Sequence, residues 1–361
     1  MLGSSRSFSK ALLDWYTVHR RDLPWRLPIG SSVESTVHPD PYHVLVSEAM
    51  LQQTQVATVI PYFHRFLEKF ATIEALATAD EQDVLRLWQG LGYYSRARNL
   101  RKAAMVVVEQ FGGKLPNTVD ELLKLPGVGR YTAGAIASIA FGTKAPIVDG
   151  NVVRVICRID KITDDPREKA IVDLLWTRAE QILPSARIGD FNSALMELGA
   201  TVCTPRNPQC LVCSVQRHCE AVAAGVQETI PPVKKVKVNP LEERWTFLVR
   251  AEGKFLVEQR PSTGRWAGMW QFVTVPAQEN AEPADAVSSA TGLRVNGLNE
   301  VGYITHALTH RRYAFTVFSC SAKSVKPVDG RVWVTLEEVD RLPLSKPQLK
   351  ALEIAHAVVK K

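Results

Sequence analysis

The sequence predicts a multidomain fold: an all-α module over about residues 1–225, a basic linker at 226–243, and an α+β domain at 244–361. Three observations carry this reading. Helical periodicity with short connections runs to about residue 225 without a strand pattern. The stretch Ile230-Pro231-Pro232-Val233-Lys234-Lys235-Val236-Lys237-Val238 then breaks it with prolines and lysines. From Trp245 the residues alternate, and WTFLVRAEGKFLVEQR reads as a hairpin around Glu252-Gly253.

Taken in order, residues 7–20 carry Phe8, Leu12, Leu13 and Tyr16 at helical spacing, and Asp22-Leu23-Pro24-Trp25-Arg26 ends that helix. Residues 27–40 read as a long polar loop. Pro41 starts a helix through Thr54, and Pro61 opens another through Phe70. Amphipathic segments cover 80–89 and 95–111. Between them Gly90-Leu91-Gly92-Tyr93-Tyr94-Ser95 is a turn with two exposed aromatics. Further helices are predicted at 118–124, 131–141, 151–160, 168–182 and 190–200. In the second domain, strands at 270–275, 300–305, 311–321 and 331–335 join the hairpin, with helices at 283–291 and 345–359.

A chain of 361 residues with a formal net charge of +7 favours a polyanionic partner. The N-terminal stretch has no apolar signal region, and no apolar run is long enough to span a bilayer. The expected compartment is therefore the reducing cytoplasm, with no membrane partner. There, cysteines read as metal or cluster ligands rather than disulfides. Cys203, Cys210, Cys213 and Cys219 are spaced C-x6-C-x2-C-x5-C, which fits a four-coordinate centre but does not separate zinc from an iron–sulfur cluster. Cys157 and Cys320 lie in apolar segments and read as core residues.

The stretch LPGVGRYTAGAIASIAFGTKAPIVDGN, residues 125–151, is the centre of the functional argument. Gly127 and Gly129 can take backbone angles other residues avoid and provide a turn that a ligand can approach closely, and the following helix points free N–H groups at it. The turn continues Arg130-Tyr131, so it is not a P-loop, and no strand precedes it, so it is not a dinucleotide fingerprint. Asp149 follows on a tight turn before another helix. A second carboxylate, Glu48, stands among Val44, Leu45 and Leu51 in an apolar helix, where desolvation favours the protonated acid.

Together Glu48 in SEAMLQQTQV, the GLGYYSRARNL segment, LPGVGRYT, VDGNV and the four-cysteine loop resemble the MutY-type adenine DNA glycosylases of the helix-hairpin-helix superfamily. The resemblance implies a six-helix barrel over about 30–140, a cluster-bearing part formed by 1–29 and 141–225, and a C-terminal Nudix-like domain. It implies a [4Fe–4S] cluster on the four cysteines. The implied partner of this monomeric enzyme is duplex DNA carrying adenine opposite 8-oxoguanine or guanine, nucleoid-associated in a bacterium. Glu48 would be the general acid and Asp149 the anion facing the sugar, with Tyr131, Asn151 and Arg26 on active-site positions. Gln53 and Tyr93 fall on duplex-wedging positions, and Leu51, Gly127, Gly129 and Arg130 on others that meet DNA. Leu308-Thr309-His310 stands where the family reads 8-oxoguanine with Phe-Ser-His, and Ser193 stands where members carry Glu or Gln. The Nudix-like helix region Ala286–Gly292 has no glutamate cluster for magnesium, so that domain is expected to read rather than hydrolyse. Bifunctional endonuclease III-like glycosylase/lyases, the alternative, carry a lysine where this chain has Tyr131. A monofunctional enzyme is expected.

Overall fold

The computed structural model describes residues 5–29, 37–232, 239–278 and 281–360. The core of the 27–40 loop and most of the linker lie outside the described residues. The helices, in chain order, are α1 (Ser5–His19), α2 (Pro41–Leu51), α3 (Val56–Lys69), α4 (Ile73–Thr78), α5 (Glu81–Trp88), α6 (Ser95–Phe111), α7 (Val119–Leu122), α8 (Arg130–Phe141), α9 (Gly150–Ile159), α10 (Lys169–Gln181), α11 (Ile188–Thr201), α12 (Glu220–Ala223), α13 (Pro283–Thr291), α14 (Leu336–Val339) and α15 (Lys346–Val359). By packing, the chain forms two units: residues 1–78 with 99–235, and residues 79–98 with 236–361. Among the described residues no helix is long and apolar enough to cross a membrane.

The first unit is helical throughout. Asp40 caps α2 by accepting from the backbone N–H groups of Tyr42 and His43, with Pro41 preset for the first turn. Every residue from Val44 to Met50 is buried, so α2 is a core helix without a solvent face. α8 is rich in small residues and is buried from Thr132 to Ser138. A Cβ on Gly134 would lie 2.5 Å from the Pro146 carbonyl oxygen, so only glycine lets the chain return this close beside α8. α9 buries Val152, Val155, Ile156 and Ile159 against α11 and α1 in one apolar core, which also takes in Cys157. At their crossing Gly199 meets Asn151, where an added Cβ would come within 2.6 Å.

The second unit is built on a six-stranded sheet of β1 (Leu241–Ala251), β2 (Lys254–Gln259), β3 (Trp270–Pro276), β4 (Val295–Ala307), β5 (Arg312–Ala322) and β6 (Arg331–Thr335), in the order β4-β5-β1-β3-β2-β6. β1 and β5 are parallel and the other pairs antiparallel. Alternate residues feed opposite faces. Leu248 packs with α15 residues Ala351, Leu352 and Ala355. Phe247 and Val249 pack with α13 residue Val287 and with Cys320 on the other face. Residues 79–98 dock on this domain: Gln82 accepts from Trp270 Nε1 at 3.1 Å and donates to the Gly268 carbonyl at 3.2 Å. Arg98 donates to the Ala267 carbonyl, and the Leu344 N–H donates to Gln89 Oε1 at 2.9 Å.

Three local expectations are corrected. Pro61 lies inside α3 instead of opening it, because the helix begins at Val56 and the carbonyl deprived of a donor, that of Ala57, is on an exposed residue. Helix α2 stops at Leu51 rather than Thr54, since Gln53 adopts φ 56°. Gly129 is not in a glycine-only conformation: it is extended at φ −93°, while Gly127 at φ +78° does need one.

Candidate active site

Helices α2, α8, α9 and α11 supply most of the walls of a cavity of about 540 Å³, a size within the usual range of about 300–1,000 Å³ for ligand pockets. Glu48, Leu51 and Gln53 line it from α2 and the turn that follows. Tyr131 comes from α8, Asp149 and Asn151 from the start of α9, Ser193 and Glu197 from α11, and Arg26 from the turn after α1. The two carboxylates singled out in sequence, Glu48 and Asp149, thus face the same space.

Their environments differ. Glu48 is buried, and its Oε2 has no hydrogen-bond partner. Burial pushes its pKa from 4.5 to about 7, the nearby Tyr131 hydroxyl and Arg26 lowering it and the Asp149 charge raising it. Asp149 is the N-cap of α9. Its Oδ1 accepts from the Val152 N–H at 2.7 Å and its Oδ2 from Asn151 Nδ2 at 3.0 Å. Burial raises its pKa as well, but these donors and Arg154 oppose the rise and favour the anion. Tyr131 donates its phenol hydrogen to Met196 Sδ at 3.2 Å, and burial holds its pKa well above the usual phenol value.

Arg26 does not reach Glu48 by a hydrogen bond. Its guanidinium donates to Glu197 Oε2 at 2.9 Å and to the Arg21 carbonyl at 3.2 Å, so it acts on Glu48 through space. Glu197 is fully buried and also takes three bonds from Arg21: Nε at 2.6 Å, Nη2 at 3.0 Å and the backbone N–H at 3.1 Å. Burial raises its pKa, but the arginines outweigh that and hold it below the ordinary carboxylate value. Sequence reasoning missed Glu197, although Ser193, Ala194 and Ala200 flank it at helical spacing, the same kind of signal that singles out Glu48.

Arg154 was also missed. It donates to Asn151 Oδ1 at 2.9 Å, to the Gly199 carbonyl at 2.7 Å and to the Cys203 carbonyl at 2.7 Å. The orienting partner of Asp149 is thereby tied to the first cysteine of the loop.

Around that loop, Cys203, Cys210, Cys213 and Cys219 line one small cavity with Arg158. Arg158, almost wholly buried, donates to Cys203 Sγ at 3.2 Å and to the Thr204 and Ile230 carbonyls. Burial and the neighbouring thiols raise the Cys210, Cys213 and Cys219 pKa values, Cys213 to about 11. Among the described residues, no three Cys, His, Asp or Glu side chains are gathered closely enough to hold a single metal ion.

Of the remaining sequence-derived positions, Arg130 is exposed at the start of α8 and stacks on Trp176 at 3.9 Å. Gly129 caps that helix without a side chain, and a Cβ there would meet nothing within 4 Å, so the backbone is open to a ligand. In the second unit Tyr93 is 46% exposed at φ 48°, and its hydroxyl lies 2.6 Å from Thr309 Oγ1. His310 is exposed beside them.

Residues 46–181 match the model for the HhH-GPD superfamily base excision DNA repair proteins, and residues 244–353 match the NUDIX domain. The rat adenine DNA glycosylase is 38% identical, over 96% of this chain and 78% of its own length. The human adenine DNA glycosylase is 37% identical, over 96% and 74%. Among solved structures, a thermostable thymine-DNA glycosylase is 32% identical with a TM-score of 0.53, covering 61% of this chain and 97% of that one. With such relatives aligned over 96% of its length, the chain belongs to the adenine DNA glycosylase family, the DNA N-glycosylases that remove adenine in base excision repair.

Proposed function

We propose that the enzyme removes adenine mispaired with 8-oxoguanine or guanine by acid-assisted glycosidic cleavage, with Glu48 as the acid and Asp149 as the anion beneath the sugar. The observation that carries this is one cavity holding a buried carboxyl, with a pKa of about 7 and one oxygen without a partner, and a second carboxylate held by N–H donors. An extruded adenine enters the cavity, and protonated Glu48 donates to N7. The N9–C1′ bond breaks, and its electron pair leaves with the neutral base. Positive charge develops on the sugar, where Asp149 stabilises it or bonds C1′ transiently. Water then adds at C1′ and gives its proton to a carboxylate. Asn151 and Arg154 keep Asp149 aimed, and the Arg21–Arg26–Glu197 set holds the wall beside Glu48.

Gln53 and Tyr93 are proposed to wedge the duplex, Leu51 to line the base pocket, and Gly127, Gly129 and Arg130 to take backbone phosphate at the α8 N-terminus. Thr309 and His310 are proposed to face the base opposite adenine. Tyr131 offers no amine for a Schiff base, so we assign a monofunctional activity.

The four cysteines are proposed to hold a [4Fe–4S] cluster. All four cysteines line one cavity with Arg158, and four cysteine thiolates are the ligand set such a cluster takes. Bound there, the cluster would supply the positive charge that four crowded thiolates need and would fix the loop that Arg154 and Arg158 grip.

The test is cleavage of duplexes with adenine opposite 8-oxoguanine, guanine or thymine, with and without alkali. Alkali-dependent breaks opposite only the first two are expected. Excision opposite thymine at the same rate would overturn the pairing specificity. Efficient borohydride trapping would overturn the monofunctional assignment.

A further inference from the structure

We propose that the thioether of Met196 is a positioning group for the acid: it takes the phenol hydrogen of Tyr131 while Glu48 is protonated, and keeps that hydrogen off the carboxyl until the proton has gone to the base. The inference rests on the reading of Glu48 as the acid.

Tyr131 from α8 and Met196 from α11 line the cavity that holds Glu48. The Tyr131 hydroxyl donates to Met196 Sδ at 3.2 Å. A thioether has no hydrogen to give, so the direction of this bond is fixed. The same hydroxyl lies within hydrogen-bonding reach of the Glu48 carboxyl, where it favours the anion. One hydrogen therefore has two acceptors. The sulfur is held in place from both sides. Tyr131 and Met196 pack on the apolar core of the helical unit. Glu197, the next residue of α11, takes four hydrogen bonds from Arg21 and Arg26.

Which acceptor wins depends on Glu48. An ionised carboxylate is a far stronger acceptor than a thioether and claims the hydrogen. A protonated carboxyl carries its own O–H and accepts weakly, so the phenol hydrogen rests on sulfur. The sulfur thus stabilises only the protonated form. When Glu48 gives its proton to adenine N7, rotation about the phenol C–O bond turns the Tyr131 hydrogen from sulfur to the new carboxylate. That hydrogen stays on the Tyr131 oxygen, and only the Glu48 proton is transferred. The anion meets a donor as it forms. The other charges that act on Glu48 are Asp149 from α9 and Arg26 from the turn after α1, with Glu197 on α11 bound by Arg21 and Arg26. They are the same with and without the sulfur, so they set the level of the acid and not the change on removing Met196.

The experiment is the pH profile of single-turnover adenine excision by the full-length enzyme, Met196→Leu, Met196→Ile, Tyr131→Phe, the Tyr131→Phe/Met196→Leu double variant and Glu48→Gln. Leucine nearly conserves the volume of methionine and removes the sulfur, and isoleucine removes it with a different shape. The readout is the pH at which the alkaline limb begins, which a changed plateau rate does not move. In both sulfur-free variants the limb should begin about 0.3–0.7 pH unit lower. Excision on the limb is then about two- to fivefold slower relative to each variant's own plateau, the worth of one weak hydrogen bond. Tyr131→Phe lacks the donor to the anion, so its limb should begin higher, and Met196→Leu should not move it in that background. A limb unmoved or raised in both sulfur-free variants, with none in Glu48→Gln, overturns the proposal and leaves the reading of Glu48 intact. A limb that survives in Glu48→Gln overturns that reading and the proposal with it. An equal downward shift from Met196→Leu in both backgrounds shows that the sulfur acts on something other than the phenol, and also overturns it.

Discussion

Glu48→Gln is a sharp perturbation, because it changes one proton-binding group and little volume. In the folded protein the carboxyl pKa stands at about 7 against an ordinary 4.5. At 1.36 kcal/mol per pH unit, that difference is worth about 3 kcal/mol. The sign follows from proton binding. Below pH 4.5 the acid is protonated in both states and costs nothing. Between 4.5 and 7 the unfolded chain gives up the proton more readily, so stability falls as pH rises, and the loss is complete above 7. Glutamine carries no such penalty. The variant should therefore gain about 2–3 kcal/mol over the parent between pH 4.5 and pH 8. For a unit of this size that corresponds to roughly 4–12 °C in the difference of Tm. Activity should move oppositely. Single-turnover excision by the parent should fall tenfold per pH unit above about 7, as the acid is lost. The variant should be slower by about 10²–10⁴ and lose that limb. The assays are thermal melts and single-turnover excision of adenine across pH. A constant Tm difference, or an alkaline limb that survives the substitution, would refute both the desolvated state of Glu48 and its role as acid.

Three further outcomes follow from the polar contacts. Glu197→Gln leaves the Arg21 and Arg26 guanidinium groups without their carboxylate. Breaking such a set should cost about 3 kcal/mol in denaturant unfolding, the lower end of the range for buried pairs because Arg21 is part-exposed. Arg154→Ala releases Asn151, Gly199 and Cys203 together. It should slow single-turnover excision by at least about tenfold, the worth of one charge-assisted bond, with less change in duplex binding by gel shift. Cys213→Ser should lower bound iron and acid-labile sulfide in parallel, read by elemental and sulfide analysis of the purified protein. Zinc in place of iron in the unaltered chain would contradict the cluster assignment.

What could be read from sequence was local. Asp149 as a helix cap beside a turn and Glu48 in an apolar helix each declare themselves within a few residues, because capping and desolvation by immediate neighbours are short-range effects, and the four cysteines fall in one short loop from Cys203 to Cys219. What could not be read was pairing at a distance. The docking of residues 79–98 depends on partners 169 to 255 residues away, which no periodicity registers. Arg154 has the sequence character of an ordinary helix-surface cation, and only the close approach of Gly199 to Asn151 brings its acceptors within reach.

The two cavity glutamates show where that limit bears on chemistry. Each stands at helical spacing from mostly small or apolar neighbours, and each is buried. Desolvation alone would raise both pKa values. Glu48 rises, because burial and, less, the Asp149 charge outweigh what the Tyr131 hydroxyl and Arg26 take back. Glu197 falls, because four hydrogen bonds reach it from Arg21 and Arg26, which lie 176 and 171 residues away in the chain. Composition around a buried acid therefore nominates it for function but leaves its charge open. The charge is decided by where the arginines fold to, and here they fold onto the neighbour, leaving the carboxyl at position 48 with its raised pKa.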